Sequence, residues 1–411
     1  MPVRLDQVPA PSPRPSRPRC WLWLGLLPLL LLLFGVCGTF LFGTQSLREH
    51  PVNFWGMALV WPLLGWCLLS FGRVLLYFIQ QQVADGWDKA REEDLTQKNR
   101  RGRRVQQVLG VSLHTALREP DASVTTLLGS LRGDVKAITA QLSRKGPTVS
   151  RHSRIAGDAD DTPEQALLRL LKQMLADLVP TLKQLSDDAP LALLLEVDSA
   201  LQEHVWKDLW RQAWSESGIR QPTVPDEGSG LAALDQWLDQ RIGDKASLLV
   251  VALQFAPQQA VGTAEAAVGL LFGNRLTQTV LPPIAYLHRP EQAREPNIDA
   301  LLCAARQALD WVPLDAPSIQ QTWRVGVDVR RNEALSKVLA AVPLPAKNNH
   351  GFYNLDTSLG NPGKTSPWLA IAAATQTIQG GAGPQFIFSG SGCVDAGLWS
   401  TVLTPVPSLS K

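Results

Sequence analysis

Two long stretches nearly free of charge constrain this chain before anything else. Trp21 to Phe42 carries no charged residue, and Phe54 to Ile79 carries only Arg73. A helix rises about 1.5 Å per residue, so roughly 20 such residues cross the hydrocarbon core of a bilayer. A helix that is apolar all round has no stable place in water. The first run exceeds the roughly 7–15 apolar residues of a signal peptide, and a second run follows at once. Residues 21–79 therefore read as a transmembrane helical hairpin. Pro62 and Gly65 interrupt the second run, which membrane helices tolerate. Arg73 lies under two turns from the end of its run, close enough for the guanidinium to reach the interface.

Charge sets the orientation. Residues 1–20 are a basic, proline-rich tail with Arg4, Arg14, Arg17 and Arg19, a composition that disfavours a packed fold. Lys89, Arg91, Lys98, Arg100, Arg101, Arg103 and Arg104 follow the second run, whereas the link between the runs holds only Arg48. The positive-inside rule then puts both termini in the cytoplasm. Residues 80–104 read as a basic juxtamembrane linker, suited to anionic lipid rather than to nucleic acid. The net charge of +2 over 411 residues exerts no global pull on polyanions. Of five cysteines, Cys20, Cys37 and Cys67 lie in the apolar stretches; no pair has CxxC spacing and none adjoins a histidine. No disulfide framework and no metal site is expected.

Beyond residue 104 the pattern is α/β. Residues 105–230 read as an N-terminal soluble subdomain and residues 231–411 as a C-terminal one. Thr162-Pro163-Glu164-Gln165 is a helix start with an N-cap hydroxyl, a first-position proline and a third-position glutamine. Ala192–Val197 and Ser247–Phe255 are continuous apolar runs, the mark of strands buried on both faces. Helical spacing of Trp206, Trp210 and Trp214 places them in a core rather than around a ligand. The Gly/Pro/Asn loop Leu359–Gly363 opens an alanine-rich helix that closes at Gly380-Gly381.

Catalytic patterns are weak. Ser389-Gly-Ser-Gly-Cys393 lacks the spacing of a nucleophile elbow, leaving Ser391 and Cys393 as candidate reactive groups on a turn. Asn361-Pro-Gly-Lys-Thr365 lacks the first glycine of a phosphate loop. Glu265 is the one candidate buried acid, with a hydrogen-bonded structural role expected. No catalytic, cofactor-binding or metal residue is assigned.

Three blocks resemble the second half of a thiolase-like, or ketosynthase-like, domain. They are Leu248–Phe255 with Glu265-Ala-Ala-Val-Gly-Leu-Leu271, the loop Thr357–Gly363 before a small-residue helix, and Pro384–Pro405. The resemblance implies a layered α/β fold. Where that pattern would place histidine stands Thr357, and no Thr-Ala-Cys-Ser-type nucleophile segment occurs, so condensation machinery is missing by this reading.

The arrangement as a whole also resembles the lipase-adaptor family of type VI secretion. That likeness rests on Gly86–Glu92, Arg100–Arg104, Val108–Leu117, Leu234–Asp239 and Leu248–Gln254. It implies a non-catalytic protein, anchored in a bacterial inner membrane, that binds a lipase-type effector in the cytoplasm and loads it onto a spike protein. The alternative is a membrane-tethered acyl-binding or acyl-transfer enzyme on a thiolase-like fold, using Cys393 or Ser391.

Overall fold

A computed structural model describes the chain except at positions 1–2, 4, 6, 50–51, 53–54, 119–123, 134, 147, 159, 348–349, 392–396 and 408–411. The chain divides into two compact units, Arg4–Lys98 and Asn99–Lys411, the latter with Met1–Val3.

The first unit holds helix α1 (Cys20–Glu49), a π-turn at Gly56–Val60 and most of helix α2 (Trp61–Gly102). Among the described residues α2 alone is long and apolar enough to cross a membrane, by length and composition. Its apolar half presents Leu64, Leu68, Phe71 and Leu75 outward, with Leu68 75% exposed. The apolar stretch Cys20–Phe34 of α1 is shorter, so the two expected spans reduce to one that meets the length requirement. Trp66 donates its indole N–H to the Trp23 carbonyl at 2.7 Å.

The second unit is built twice. Its first half runs β1 (Val105–Thr115), α3 (Val124–Arg132), the ribbon β2 (Thr139–Leu142) and β3 (Val149–His152), then α4 (Pro163–Leu182) and β4 (Leu191–Ser199). It continues through α5 (Glu203–Ser217), β5 (Thr223–Pro225), α6 (Gly230–Gln240), β6 (Ser247–Phe255) and β7 (Ala266–Asn274). The second half opens with β8 (Ala285–His288), β9 (Glu291–Gln292), α7 (Ile298–Asp310), β10 (Gln321–Val325) and α8 (Asn332–Ala341). It closes with β11 (Phe352–Asn354), the short α9 (Leu355–Ser358), α10 (Ser366–Gln379), β12 (Gln385–Ser389) and β13 (Trp399–Pro405).

One sheet joins the halves, in the order β11-β10-β12-β13-β8-β1-β7-β6-β4-β5, with β9 beside β13. Read outward from the antiparallel β1·β8 seam, each half has the same sequence of partners. The first, fifth, fourth, second and third strands follow one another, two antiparallel pairings and then two parallel ones. The third and fourth strands of each half are connected by a helix, α6 in one and α10 in the other. The fold is an internal duplication.

Alternating side chains sort the strands into layers. In β4 and β6, Ala192, Leu194, Leu248 and Val250 face a core shared with α6, α10 and Trp323, Val325 and Ile387 of the other half. Their neighbours Leu249, Val251 and Leu253 face α4 and α5. Phe386, Phe388 and Val402 face α7 and α8. The order is helix, half-sheet, central helices, half-sheet, helix. All nine positions of both β6 and β7 are buried, which accounts for their largely apolar composition. Along α10 every residue from Ser366 to Ile378 is buried. Alanines at 370, 372, 373 and 374 keep the helix slim, and Thr375 and Thr377 return their hydroxyls to the carbonyls of Ile371 and Ala373 at 2.7 Å.

The local signals read above are present in the structure. Thr162 and Gln165 form a reciprocal cap on α4, at 3.0 and 3.3 Å. Trp210 is buried, and Trp206 and Trp214 pack partly buried beside it against the α4 core. Replacing Ile371 by alanine removes packing from both half-sheets and should cost about 2–5 kcal/mol. Ser336→Ala, on the exposed face of α8, should stay within about 0.5 kcal/mol. Denaturant unfolding of the detergent-solubilised full chain followed by fluorescence measures both.

Candidate active site

The carboxyl ends of parallel strands are where open α/β sheets gather ligands, and here both halves deliver theirs to one place. The loop Gly360–Thr365 before α10 reaches both. A side chain at Gly363 (φ +56°) would overlap the Gln254 amide oxygen at the end of β6, and one at Gly326, just past β10, would overlap Ser366. Only glycine permits these approaches.

Alternation along β4 turns Glu196 and Asp198 to the same face as Ala192 and Leu194, and the β4·β6 register sets Asp198 beside Gln254. Gln254 donates its amide N–H to the Asn361 carbonyl at 3.1 Å. Asn361 in turn accepts the Gly363 N–H on its side-chain oxygen at 2.9 Å, and its backbone bonds Gly262 and Ala264. The loop is thereby pinned to the strand ends.

Glu196 is buried and accepts the backbone N–H of Gly230, the first residue of α6. Burial pushes its carboxyl above the ordinary range; the Gly230 N–H, the nearby Trp368 indole and the Lys364 charge oppose that rise. Trp368, in the first turn of α10, is wholly buried, and its indole N–H lacks a partner in hydrogen-bonding geometry. So do the Gln254 carbonyl oxygen and the Thr365 hydroxyl. Ser229 caps the start of α6 in extended backbone, exposed, with its hydroxyl bonding none of the helix amides. Gly228 and Gly230 flank it, both at positive φ, and Lys364 stands exposed nearby in charge. Glu196 thus ties the amino end of α6 to β4, and Gln254 ties the loop before α10 to the end of β6.

In the second half, Asp356 accepts the Gly326 and Val327 N–H groups at 2.7 and 3.2 Å. Burial raises its carboxyl to about 6, against the pull of those two donors and of Arg324.

The residues singled out from sequence lie elsewhere. Ser391 is half-buried beyond β12, and Cys393 is outside the described residues. Thr357 sits exposed on α9, its hydroxyl donating to the Asn354 carbonyl at 2.7 Å, not in the loop that opens α10. Glu265 has the expected structural role: it accepts Arg144 Nε at 2.8 Å, Ala256 N–H at 3.1 Å and Ile155 N–H at 3.0 Å. Glu196, Asp198, Ser229, Gln254, Lys364 and Trp368 were not found in advance. The available signal was the acidic pair Glu196 and Asp198, two apart at the end of an otherwise apolar strand. A second polar group, lining a cavity of about 250 Å³, is no relay. Ser112, His114 and Arg118 all converge on the same Asp177 oxygen, at 2.7, 3.1 and 2.9 Å.

No protein-family profile and no curated protein sequence matches the chain. Solved structures do. The PfaC keto synthase–chain length factor superposes on 75% of this chain and 43% of its own, with TM-score 0.51 and 11% identity. The ishigamide ketosynthase/chain length factor superposes on 74% of this chain and 100% of its own, with TM-score 0.50 and 14% identity. The fold is thiolase-like. It extends well beyond the C-terminal blocks that first carried the resemblance, over three quarters of the chain. The expectation of a non-catalytic secretion adaptor is corrected: the fold neighbours are ketosynthases and chain length factors, and no comparison relates the chain to that family.

Because the Asp356 pKa is raised in the folded state, its contribution to stability is complete below the ordinary value of 3.8 and is lost as pH rises through about 6. Asp356→Asn should therefore flatten the decline in melting temperature between pH 4 and 6, while lowering stability by about 1–3 kcal/mol through a poorer acceptor for two buried amides. Calorimetry across that range checks it.

Proposed function

We propose that the protein is a membrane-anchored acyl-transfer enzyme that takes an acyl thioester at the amino ends of α6 and α10. The observation that carries this reading is Glu196, buried and bonded to the first amide of α6, next in the chain to the free hydroxyl of Ser229. The thiolase-like fold supports it, since both named neighbours are ketosynthase proteins.

The chemistry follows from the groups present. A thioester carbonyl under attack develops negative charge, which helix amino ends and buried donors stabilise. Ser229 Oγ supplies the nucleophile, its bond to the carbonyl carbon forms and the carbon–sulfur bond breaks. The hydroxyl proton passes to the Glu196 carboxylate and on to the departing thiolate. A carboxyl held above its ordinary range is the better base near neutral pH. Lys364, exposed in the turn before α10, attracts the phosphates of a carrier such as coenzyme A.

We also read α1 and α2 as a hairpin in a bacterial inner membrane, both termini cytoplasmic. Arg14, Arg17 and Arg19 before α1, and Arg100 and Arg101 at the end of α2, support that orientation.

Intact mass spectrometry of the detergent-solubilised full chain after incubation with lauroyl-CoA tests the reaction. An adduct of one acyl group is expected on Ser229, absent in Ser229→Ala and formed at least tenfold more slowly in Glu196→Gln, about the lower end of general-base effects. Ser229→Ala should still bind the thioester by calorimetry. Wild type that neither binds nor is acylated overturns the reading. An adduct mapped to Ser391 or Cys393 instead moves the chemistry to the segment beyond β12.

A further inference from the structure

The tail before α1 carries prolines at 9, 11, 13, 15 and 18. Proline fixes φ near −65° and withholds its N–H, so alternating prolines hold the chain in an extended polyproline helix. Such a segment satisfies none of its own backbone groups, and here α2 satisfies four of them. Arg91 donates Nε to the Pro9 carbonyl at 2.8 Å, and Trp87 its indole N–H to the Ala10 carbonyl at 3.4 Å. The Ser12 N–H donates to Asp88 at 2.9 Å. Arg14 bridges Asp85 and Asp88, the latter at 3.0 Å. Arg73 reaches the Ser16 carbonyl at 3.3 Å.

The partners descend along α2 as the tail ascends, so the two run antiparallel. Their lengths agree. Seven steps of polyproline from Pro9 to Ser16 cover roughly 22 Å, and eighteen residues of helix from Arg91 to Arg73 roughly 27 Å, a difference that two long arginine side chains close. The residues between the prolines make most of the bonds, as a rod with alternate contacts requires.

We propose that this segment is a strap that locks membrane topology, with Arg14 as the clasp and Asp85 and Asp88 as its socket. Residues 73–91 lie at and beyond the end of the apolar stretch of α2. A tail bonded along them is held on the face from which α2 emerges, so that α1 must leave the interface and the chain must return. The inference rests on the hairpin read above and adds a cause to it. Ordinary positive-inside retention acts through lysine and arginine and is nearly indifferent to aspartate. The strap makes two aspartates decisive, and it distinguishes two arginines that the general rule weighs alike. Arg17 makes no hydrogen bond or ion pair among the described residues, whereas Arg14 makes both.

The test uses the full chain with an amino-terminal epitope, expressed in membranes and probed by protease on sealed vesicles of either orientation. Hydrogen exchange of the Ser12 peptide is measured in parallel, in nanodiscs of zwitterionic lipid. In wild type the epitope and the region beyond residue 99 should be cut from the same face, and the Ser12 peptide should exchange at least about tenfold slower than an unstructured chain. Asp85→Asn with Asp88→Asn should abolish that protection and send at least about a fifth of the epitope to the opposite face. Arg14→Gln should do the same and Arg17→Gln should not. Arg14→Glu combined with Asp85→Lys and Asp88→Lys should restore slow exchange. Equal effects of the two arginine variants overturn the strap, as does a wild-type Ser12 peptide that exchanges freely. Epitope and domain on opposite faces in wild type would instead overturn the hairpin itself.

Discussion

Everything in the larger unit depends on burying one helix completely. α10 has no solvent face, so it needs apolar surface on every side, and only two half-sheets closing on it provide that. The demand explains its composition. Alanine adds little girth, and a slim helix lets the two half-sheets share one core. The interior hydroxyls are admitted because each returns its proton to the helix's own backbone. A leucine in place of Ala373 would have to displace a sheet.

The same burial gathers the strand ends of both halves around the start of the helix. A helix amino end leaves amides without intrahelical partners, and the fold brings two such ends to the place where parallel strands of both halves stop. Glu196 answers one of them. Trp368, Thr365 and Gln254 are further buried polar groups with unmatched atoms in this part of the protein. Buried groups without partners cost stability.

The layered α/β class was legible in the sequence because it rests on local signals. β6 has seven apolar residues in nine, α4 has its cap written out, and α10 announces itself by small residues and a closing glycine pair. The duplication was not legible. The two halves share the order of strands but not the residues in them, and pairing across the β1·β8 seam joins segments about 180 residues apart. The site was hidden for the same reason. Glu196, Ser229, Gln254 and Lys364 belong to four separate segments, and no spacing along the chain connects them. Ser391 and Cys393 attracted attention because glycines surround them, but glycine clusters mark turns more often than chemistry. The adaptor resemblance failed because the blocks that carried it are the ordinary vocabulary of this fold and of a basic helix end.

The burial of α10 also bears on how the chain is made. β6 and β7 are complete by Asn274, yet the helix that covers their inner face ends at Gln379. At the usual 5–20 residues per second, the ribosome needs roughly 5–20 s to supply those residues. Through that interval two largely apolar strands lack the helix that covers their inner face. Slower synthesis of residues 275–379 therefore lengthens the time for which the inner faces of β6 and β7 stay uncovered.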